Sequence, residues 1–193
     1  MVWAACCLSY FGLLRVSEFT TLSPNHFDPS KDLLLSDIAL DNRVSPSLIQ
    51  ITLKQSKGDQ FRKGEKIYVG RTTHAVCPVH ALVQYLTRRG GAPGPLFVFS
   101  DNKWLTRESF STALNKALEE LQMDPSQFNT HSFRIGAATS AKQAGISDAH
   151  LKALGRWRSD TYQKYVRLSP QDLAEFSKPL VSAQHGNLHN TGN

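Results

Sequence analysis

The sequence predicts an α+β domain that is mainly helical, with a small antiparallel three-stranded sheet packed on a helical body. Long segments with helix-capping residues occupy most of the 193 residues, and three short β-branched runs lie close together between turn-rich stretches. Hydrophobic residues make up 40% and charged residues 20% of the chain, which is typical of a folded globular protein.

The first element is predicted as one helix over residues 3–21, WAACCLSYFGLLRVSEFTT, which is apolar nearly all round and indicates burial on several sides. Its apolar start is too short to cross a bilayer, and it lacks the basic beginning and small-residue cleavage site of a signal peptide. Ser23 and Pro24 end the helix. Arg15 and Glu18 are therefore expected on a buried helix.

The predicted sheet consists of residues 33–40, 48–53 and 66–69, which have the apolar and β-branched character of short strands. Turn-rich stretches, DNRVSPS and KGDQFRKGE, separate the strands. The second stretch is a basic loop between the last two strands.

Capping residues predict the helices of the second half. Pro78 fits the first turn of a helix that runs to about Arg89, and Gly145 ends the helix that carries His131 and Arg134. Leu105 and Phe110 are placed as a hydrophobic staple around the next N-cap. The other predicted helix starts are Thr106, for a helix down to Gln122; Thr130; Ser147, for a helix that stops at Gly155; Ser159; and Ser169, for a helix to about Lys178.

The charge balance is moderately basic, with 22 Lys and Arg against 16 Asp and Glu and a formal net charge of +6. Residues 54–71 and 142–167 concentrate the basic side chains, and both segments suit a polyanion. Charge alone leaves an ordinary solvated surface as the alternative. Three cysteines, two of them adjacent, match no zinc-site spacing and indicate a reducing compartment.

Several polar side chains stand out on otherwise apolar elements. His131 and Arg134 are three residues apart, so on a helix both could reach one ligand. Each position also has an ordinary structural interpretation, such as an Arg15–Glu18 ion pair inside the core. The full set comprises Arg15, Glu18, His131, Arg134, the GRW sequence at 155–157 and Tyr165.

The motifs LLRVSE, QSKGD, HSFRIGAA, LGRW and KYVR follow one another in this order. Over about residues 8–178 the chain thereby resembles the catalytic domain of tyrosine recombinases, the phage integrase family. The stretch from His131 to Arg167 is similar to Cre-like members, and retroelements of the DIRS type carry similar modules. The resemblance implies an integrase-like catalytic fold and double-stranded DNA as partner. It also implies a homo-oligomer on two duplexes, and strand cleavage and rejoining through a 3′-phosphotyrosine without metal, cofactor or ATP.

The resemblance also implies roles for individual residues. Glu18 would orient Arg15, and Tyr165, ten residues after Gly155, is preferred over Tyr162 as the nucleophile. Lys57 in the hairpin loop would be the general acid, with Lys54 as the alternative. The expected catalytic residues are Arg15, Lys57, His131, Arg134, Trp157 and Tyr165, and the expected DNA-binding residues are Lys54, Arg62, Lys63, Arg156 and Arg158.

Elementary chemistry agrees with these roles. Two planar guanidiniums suit a phosphodiester that gains negative charge in the transition state. A phenol with a pKa near 10 is ionised in only about one molecule in a thousand at neutral pH, so a base such as His131 would help it attack. A lysine is protonated at pH 7 and can supply the proton that the departing 5′ oxygen needs.

The chain departs from the family in two places. Where many members have histidine, this chain has Arg156 followed by Trp157, whose indole N–H can donate to a phosphate. Only fourteen residues precede Arg15, so we expect a catalytic domain over residues 1–178 that is N-terminally incomplete and lacks the DNA-clamping domain. A flexible tail, residues 179–193, would follow.

The expected location is intracellular: the nucleus in a eukaryote, or the cytoplasm and nucleoid in a bacterium. Alternative functions are a domesticated or truncated DNA-binding module without turnover and a type IB topoisomerase-like activity. An ordinary helix-turn-helix regulator would leave Arg15 and Lys57 unexplained.

Overall fold

Within residues 1–54 and 64–175, which the computed structural model describes, the chain forms six α-helices and one three-stranded sheet. This agrees with the predicted α+β, mainly helical class. The helices are α1 Val2–Phe11, α2 Pro78–Arg89, α3 Arg107–Glu120, α4 Ser132–Gln143, α5 Asp148–Gly155 and α6 Pro170–Glu175. The strands are β1 Ile38–Leu40, β2 Leu48–Leu53 and β3 Glu65–Gly70. Short 3-10 helices cover Val16–Glu18, Leu35–Asp37, Pro125–Gln127 and Asp160–Tyr165.

The sheet is antiparallel, as predicted, and its strand order is β1-β2-β3. Ile49 pairs with Val69 and Ile51 with Ile67, so that apolar side chains of both strands share one buried face. The first strand is shorter than expected. The Asp37 carboxylate accepts a hydrogen bond from the Leu34 backbone N–H at 2.8 Å and closes a 3-10 turn in front of it.

The first helix is ten residues long and not nineteen, which corrects the prediction for residues 3–21. It ends at Phe11, because Leu13 takes a left-handed backbone conformation with φ of 46°. The apolar pattern continues past the turn, since Leu14 and Phe19 are buried. Burial without helical structure explains the error: Arg15 and Glu18 lie on a turn after the helix.

The helix α2 begins at Pro78 and ends at Arg89, as predicted. The Thr106 hydroxyl caps α3 by accepting from the Ser109 backbone N–H at 3.1 Å, although α3 ends at Glu120, before Gln122. Ser147 likewise caps α5, which ends at Gly155.

The start of α4 differs from its prediction. His131 occupies the N-cap position, and the Asn129 side-chain oxygen accepts a hydrogen bond from the His131 backbone N–H at 2.8 Å. Thr130 is buried and is not the cap. The helix therefore begins at Ser132, directly after the histidine.

The last two elements start where the sequence indicates. Ser159 precedes a 3-10 helix that carries Tyr162 and Tyr165. The Ser169 hydroxyl and the Asp172 carboxylate bond each other's backbone N–H at the start of α6. The predicted end of this helix near Lys178 and the predicted tail 179–193 lie outside the described residues.

Buried apolar side chains form two clusters. The larger one, here the main cluster, joins α1, the sheet, α2 and the start of α3. The smaller one, here the C-terminal cluster, contains Leu13, Ala137, Ala138, Leu151, Trp157 and Tyr162. It packs α4, α5 and the 3-10 helix of Tyr165 against the turn that follows α1. In the described ranges no helix is long and apolar enough to cross a membrane.

Candidate active site

Arg15 is held by Glu18 at two points. Its side-chain Nη1 lies 2.8 Å from Glu18 Oε1, and its backbone N–H donates to Glu18 Oε2 at 2.8 Å. The Glu18 side chain is 4% exposed, whereas that of Arg15 is 20% exposed. A buried carboxylate thus fixes a guanidinium that still reaches solvent.

Arg156 also pairs with Glu18, from 138 positions further along the chain. Its side chain is 5% exposed, and Nη2 lies 2.7 Å from Glu18 Oε2. The guanidinium also donates to the backbone carbonyls of Gly12 at 3.0 Å and Leu13 at 3.2 Å. Three protein acceptors thus hold the Arg156 side chain, and the expected DNA contact of Arg156 stays a prediction that these partners do not favour.

His131 stands at the rim of a cleft with its ring 5.0 Å, centroid to centroid, from the Tyr165 ring. Partial burial of the imidazole lowers the pKa of His131, and the nearby guanidiniums of Arg134, Arg15 and Arg107 lower it further. The neutral form, which can accept a proton, is therefore favoured near neutral pH.

Arg134 is fully buried, at 0% exposure. Its guanidinium donates to the carbonyls of Leu13 and Gly155. Its Cζ lies 4.5 Å from the centroid of the Trp157 ring and 5.6 Å from that of Tyr165. Burial, with repulsion from Arg15 and Arg156, lowers the pKa of Arg134 to about 10, and the residue keeps its charge at neutral pH.

Trp157 covers Arg134 and packs directly on Gly155. A Cβ built on Gly155 would lie 1.7 Å from an atom of the Trp157 ring, so only glycine leaves room for the indole. The indole ring lies 5.2 Å from the Tyr165 ring. The glycine of the GRW sequence thus sets the position of the tryptophan two residues later.

Tyr165 and Tyr162 occupy different environments. Tyr165 is partly exposed and lines the cleft beside His131. Tyr162 is 4% exposed and belongs to the C-terminal cluster, where a hydrogen bond to the Asp148 carboxylate raises the pKa of its phenol. This difference favours Tyr165 as the residue that meets a ligand.

Four of the six expected catalytic residues line one open cleft of about 670 Å³. Arg134 lies beneath the cleft floor, and Lys57 lies outside the described residues. A larger cleft, of about 1550 Å³, adjoins this one and shares Arg15, Ser17 and Arg107 with it. The lining residues of the smaller cleft are Arg15, Val16, Ser17, Arg107, Asn129, Thr130, His131, Trp157, Thr161, Lys164 and Tyr165.

Three buried donors at this site have no hydrogen-bond acceptor. They are Arg134 Nε, Arg156 Nε and Trp157 Nε1, and among the described residues no other buried side-chain nitrogen or oxygen lacks a partner. Arg156 Nε does lie 3.4 Å from Glu65 Oε2, which is close enough for charge attraction. Native proteins pair nearly all such groups, so the unpaired donors of Arg134 and Trp157 indicate a site that accepts a ligand with hydrogen-bond acceptors.

The expected DNA-binding residues have different outcomes. Lys54 Nζ lies 2.6 Å from Asp37 and 3.1 Å from the Asp32 carbonyl oxygen, so this ammonium is held by the protein. The same two contacts hold the ammonium when Lys54 is considered as the alternative general acid. Arg62 and Lys63 lie outside the described residues. Arg158 is exposed just after α5.

Two residues that sequence reasoning missed belong to the site. Arg107 lines both clefts at the first position of α3. A cation there opposes the helix dipole, and this local mismatch was a signal of function that the sequence carried. Thr139 in α4 accepts from the Arg167 backbone N–H at 3.0 Å and donates to the Tyr165 carbonyl at 3.3 Å, which fixes the segment that bears the phenol.

No protein-family model matches the chain. An integrase/recombinase XerD homologue of Selenomonas ruminantium is 32% identical over 127 residues, which are 62% of this chain and 37% of that protein. The chain thus spans under two fifths of this curated relative.

Solved structures share the fold. The XerA recombinase aligns with 93% of this chain and 56% of its own, at 19% identity and a TM-score of 0.65. The XerH site-specific recombinase, bound to a palindromic difH substrate, aligns with 91% of this chain and 44% of its own, at 17% identity and a TM-score of 0.63. The Tn1549 transposon integrase, in complex with transposon right end DNA, aligns with 93% of this chain and 58% of its own, at 14% identity and a TM-score of 0.60. The chain therefore resembles the tyrosine recombinases in sequence and has the fold of their catalytic domain.

Proposed function

We propose that this chain is the catalytic part of a site-specific DNA recombinase or integrase that cuts and rejoins DNA through a 3′-phosphotyrosine. The observation that carries the proposal is the set of unpaired N–H donors at the cleft. Arg134 and Trp157 supply two of them, next to the partly exposed guanidinium of Arg15 and the phenol of Tyr165. A phosphodiester offers the acceptors and the charge that these groups lack.

In the first step the Tyr165 phenol loses its proton and the oxygen attacks phosphorus. His131 is the base that would take the proton, and its lowered pKa supports this role because the imidazole is neutral at pH 7. Arg15 and Arg134 would stabilise the charge that accumulates on the non-bridging oxygens. The new bond joins tyrosine to the 3′ phosphate, while the bond from phosphorus to the 5′ oxygen breaks.

The departing 5′ oxygen needs a proton, and Lys57 remains our candidate for its donor. Lys54, the alternative, is held by Asp37 at 2.6 Å, which does not favour it as a mobile acid. Rejoining reverses the first step: a 5′ hydroxyl of the same or another strand attacks the phosphotyrosine, and the phenol leaves. The phosphotyrosine retains the energy of the cut bond, so no step requires ATP or a metal ion.

Phosphate binding requires a local opening. Arg134 is fully buried beneath the rings of Trp157 and Tyr165, so a phosphate can reach it only after one ring moves. Both rings belong to the C-terminal cluster or pack against it. We infer that DNA binding displaces the Tyr165 ring, which exposes Arg134 and frees the phenol together.

The partner in this proposal is double-stranded DNA, bound by several copies of the chain. The XerH and Tn1549 structures contain DNA, and the exposed cations Arg107 and Lys164 at the cleft suit a phosphate backbone.

The residues 1–178 would form the catalytic domain within a larger protein, followed by a tail. We place the protein inside the cell, in the nucleus of a eukaryote or the cytoplasm of a bacterium.

A covalent capture experiment tests the proposal without knowledge of the target. The chain is incubated with duplexes of randomised sequence that carry nicks. Cleavage near a nick releases a short fragment with a free 5′ hydroxyl, which diffuses away, so the covalent adduct persists. Adducts are isolated under denaturing conditions, their DNA is sequenced, and the modified peptide is identified by mass spectrometry. We expect DNA on the peptide that contains Tyr165.

The matched variants are Tyr165→Phe and Tyr162→Phe. We expect Tyr165→Phe to lower adduct formation by more than about 10⁴-fold, as removal of a nucleophile does, and Tyr162→Phe to retain it. Loss in Tyr162→Phe alone would move the nucleophile to Tyr162. Salt-sensitive DNA binding with no adduct from the wild type would support a binding module without turnover, and relaxation of a supercoiled plasmid by the monomer would support a topoisomerase.

A further inference from the structure

The backbone conformation of Arg156 directs its own side chain into the protein and the side chain of Trp157 towards the cleft. Arg156 has φ of 56° and ψ of 42°, a left-handed conformation that L-residues other than Gly, Asn and Asp adopt only at a cost. The conformation ends α5, sends the Arg156 side chain into the protein and leads Trp157 over Arg134. A residue that accepts this strain must gain stabilisation elsewhere in the fold.

The Arg156 guanidinium obtains that stabilisation from the turn after α1. It bonds the carbonyls of Gly12 and Leu13 and pairs with Glu18, at distances of 3.0, 3.2 and 2.7 Å. Glu65 at the start of β3 lies 3.4 Å from its Nε. One side chain thus ties together the end of α5, the turn after α1 and the edge of the sheet.

Glu18 connects this arrangement with the cleft. Its Oε2 accepts from Arg156 Nη2 and from the Arg15 backbone N–H, while its Oε1 pairs with the Arg15 guanidinium. Without Arg156 the buried carboxylate would keep both contacts with Arg15 and lose one of the two donors to Oε2. The turn that carries Glu18 and Arg15 would then no longer be tied to the end of α5.

We propose that Arg156 is a positioning residue for strand cleavage: its buried guanidinium locks Glu18 and the Gly12–Leu13 turn, so that Arg15 and Trp157 face the same phosphate. The inference rests on the proposed function. It differs from a DNA contact, because the Arg156 side chain is only 5% exposed and both of its Nη atoms donate to protein acceptors.

The variant Arg156→Gly tests the proposal. Glycine adopts a left-handed backbone without strain, so the substitution removes the guanidinium and leaves the chain direction intact. With duplexes recovered by covalent capture, we expect the first-order rate of adduct formation at saturating DNA to fall about 100-fold, as misplacement of a catalytic group does. The dissociation constant for DNA and its salt dependence should stay those of the wild type.

Rescue by free guanidinium ion separates positioning from general loss of structure. Added at concentrations far below those that unfold proteins, the ion can enter the vacated space beside Glu18 and should restore part of the rate of Arg156→Gly. The control is Arg43→Gly, which removes a guanidinium from an exposed bend between β1 and β2 that lines neither cleft. Its rate should match the wild type with or without the ion.

A second variant covers the case in which Arg156→Gly does not remain folded. Arg156→Lys keeps the charge, but a single ammonium cannot reach both carbonyls and Glu18 together. We expect its rate to lie between those of the wild type and Arg156→Gly, with circular dichroism like that of the wild type.

The outcomes distinguish this inference from the proposed function. If the salt slope falls by about one and the rate at saturation is unchanged, Arg156 contacts a DNA phosphate and the inference is wrong. If Arg156→Gly and wild type form adduct equally fast, the inference also fails while the proposed function stands. If the wild type forms no adduct, the proposed function is wrong, and so is the role of Arg156 in positioning groups for strand cleavage.

Discussion

The main cluster and the C-terminal cluster are built by different means. The main cluster is almost entirely aliphatic and aromatic, with fully buried side chains such as Leu8, Ile49, Leu82 and Phe110. The C-terminal cluster has far fewer buried residues and encloses the guanidinium of Arg134, which Trp157 covers. Burial of a charge costs free energy, which hydrogen bonds, ring contacts and attraction to Glu18 offset here. The first cluster therefore supplies stability, and the second supplies a charged site that can open.

The largest expected effect is a loss of overall stability when the main cluster is disrupted. Leu82→Ala in the main cluster should lower the free energy of unfolding of the whole chain by about 2–5 kcal/mol, since it leaves a cavity in a close-packed core. Native-state hydrogen exchange of the amides in α2 measures this change.

The matched variant is Leu151→Ala, the same substitution at a fully buried position of the C-terminal cluster. We expect faster exchange of amides in α4 and α5 with little change in α2, because local opening does not require global unfolding. Equal effects of both variants on both sets of amides would mean that the clusters unfold as one unit.

A smaller effect concerns the contact between Gly155 and Trp157. Gly155→Ala would place a Cβ 1.7 Å from the indole, and the overpacking should destabilise the C-terminal cluster by about 1–3 kcal/mol. Helix propensity alone predicts the opposite, a gain of about 1 kcal/mol. Thermal unfolding, with Trp fluorescence as a probe of ring burial, distinguishes the two.

Gly136→Ala provides the control for this steric explanation. Gly136 also lies in a helix of this region, but a Cβ there would meet only a Tyr10 ring atom at an ordinary 3.5 Å. We expect this variant to be neutral or slightly more stable than the wild type. Destabilisation of similar size in both variants would contradict the role of the indole.

The smallest expected effect is a pH dependence at His131. The folded state lowers the pKa of this imidazole, so as pH falls below about 6.5 the unfolded chain takes up a proton before the folded chain does. Stability should therefore fall with pH in this window, and His131→Asn should remove that part of the slope. Urea unfolding from pH 5 to 7.5 compares the two proteins, and identical slopes would contradict the lowered pKa.

The sequence predicted the elements with strong local signals and missed those that depend on a single backbone angle. Pro78 and Thr106 start helices at the expected positions because their effect is local. The end of α1 was wrong because Leu13 takes a positive φ that its apolar neighbours do not announce. The direction of Arg156 was missed for the same reason, since a left-handed non-glycine residue follows from tertiary contacts.

The residues of the site were easier to identify from the sequence than their burial and contacts in the fold. The motifs pointed to Arg15, His131, Arg134, Trp157 and Tyr165, and these side chains lie together in the fold. That Arg134 would lie fully buried under two rings depends on packing between helices distant in sequence. Arg107 was missed because it lies outside the two basic segments and outside the five motifs that the sequence analysis considered.

The carbonyl of Leu13 accepts from both Arg134 and Arg156, partners 121 and 143 positions away along the chain. Contacts of such long range form late in folding, because most of the polypeptide must already be ordered before they compensate for loop closure. On the ribosome, the aliphatic scaffold could assemble while the last third of the chain is still being made. Under the proposed function, a nascent molecule would therefore lack the complete site until translation has passed Tyr165.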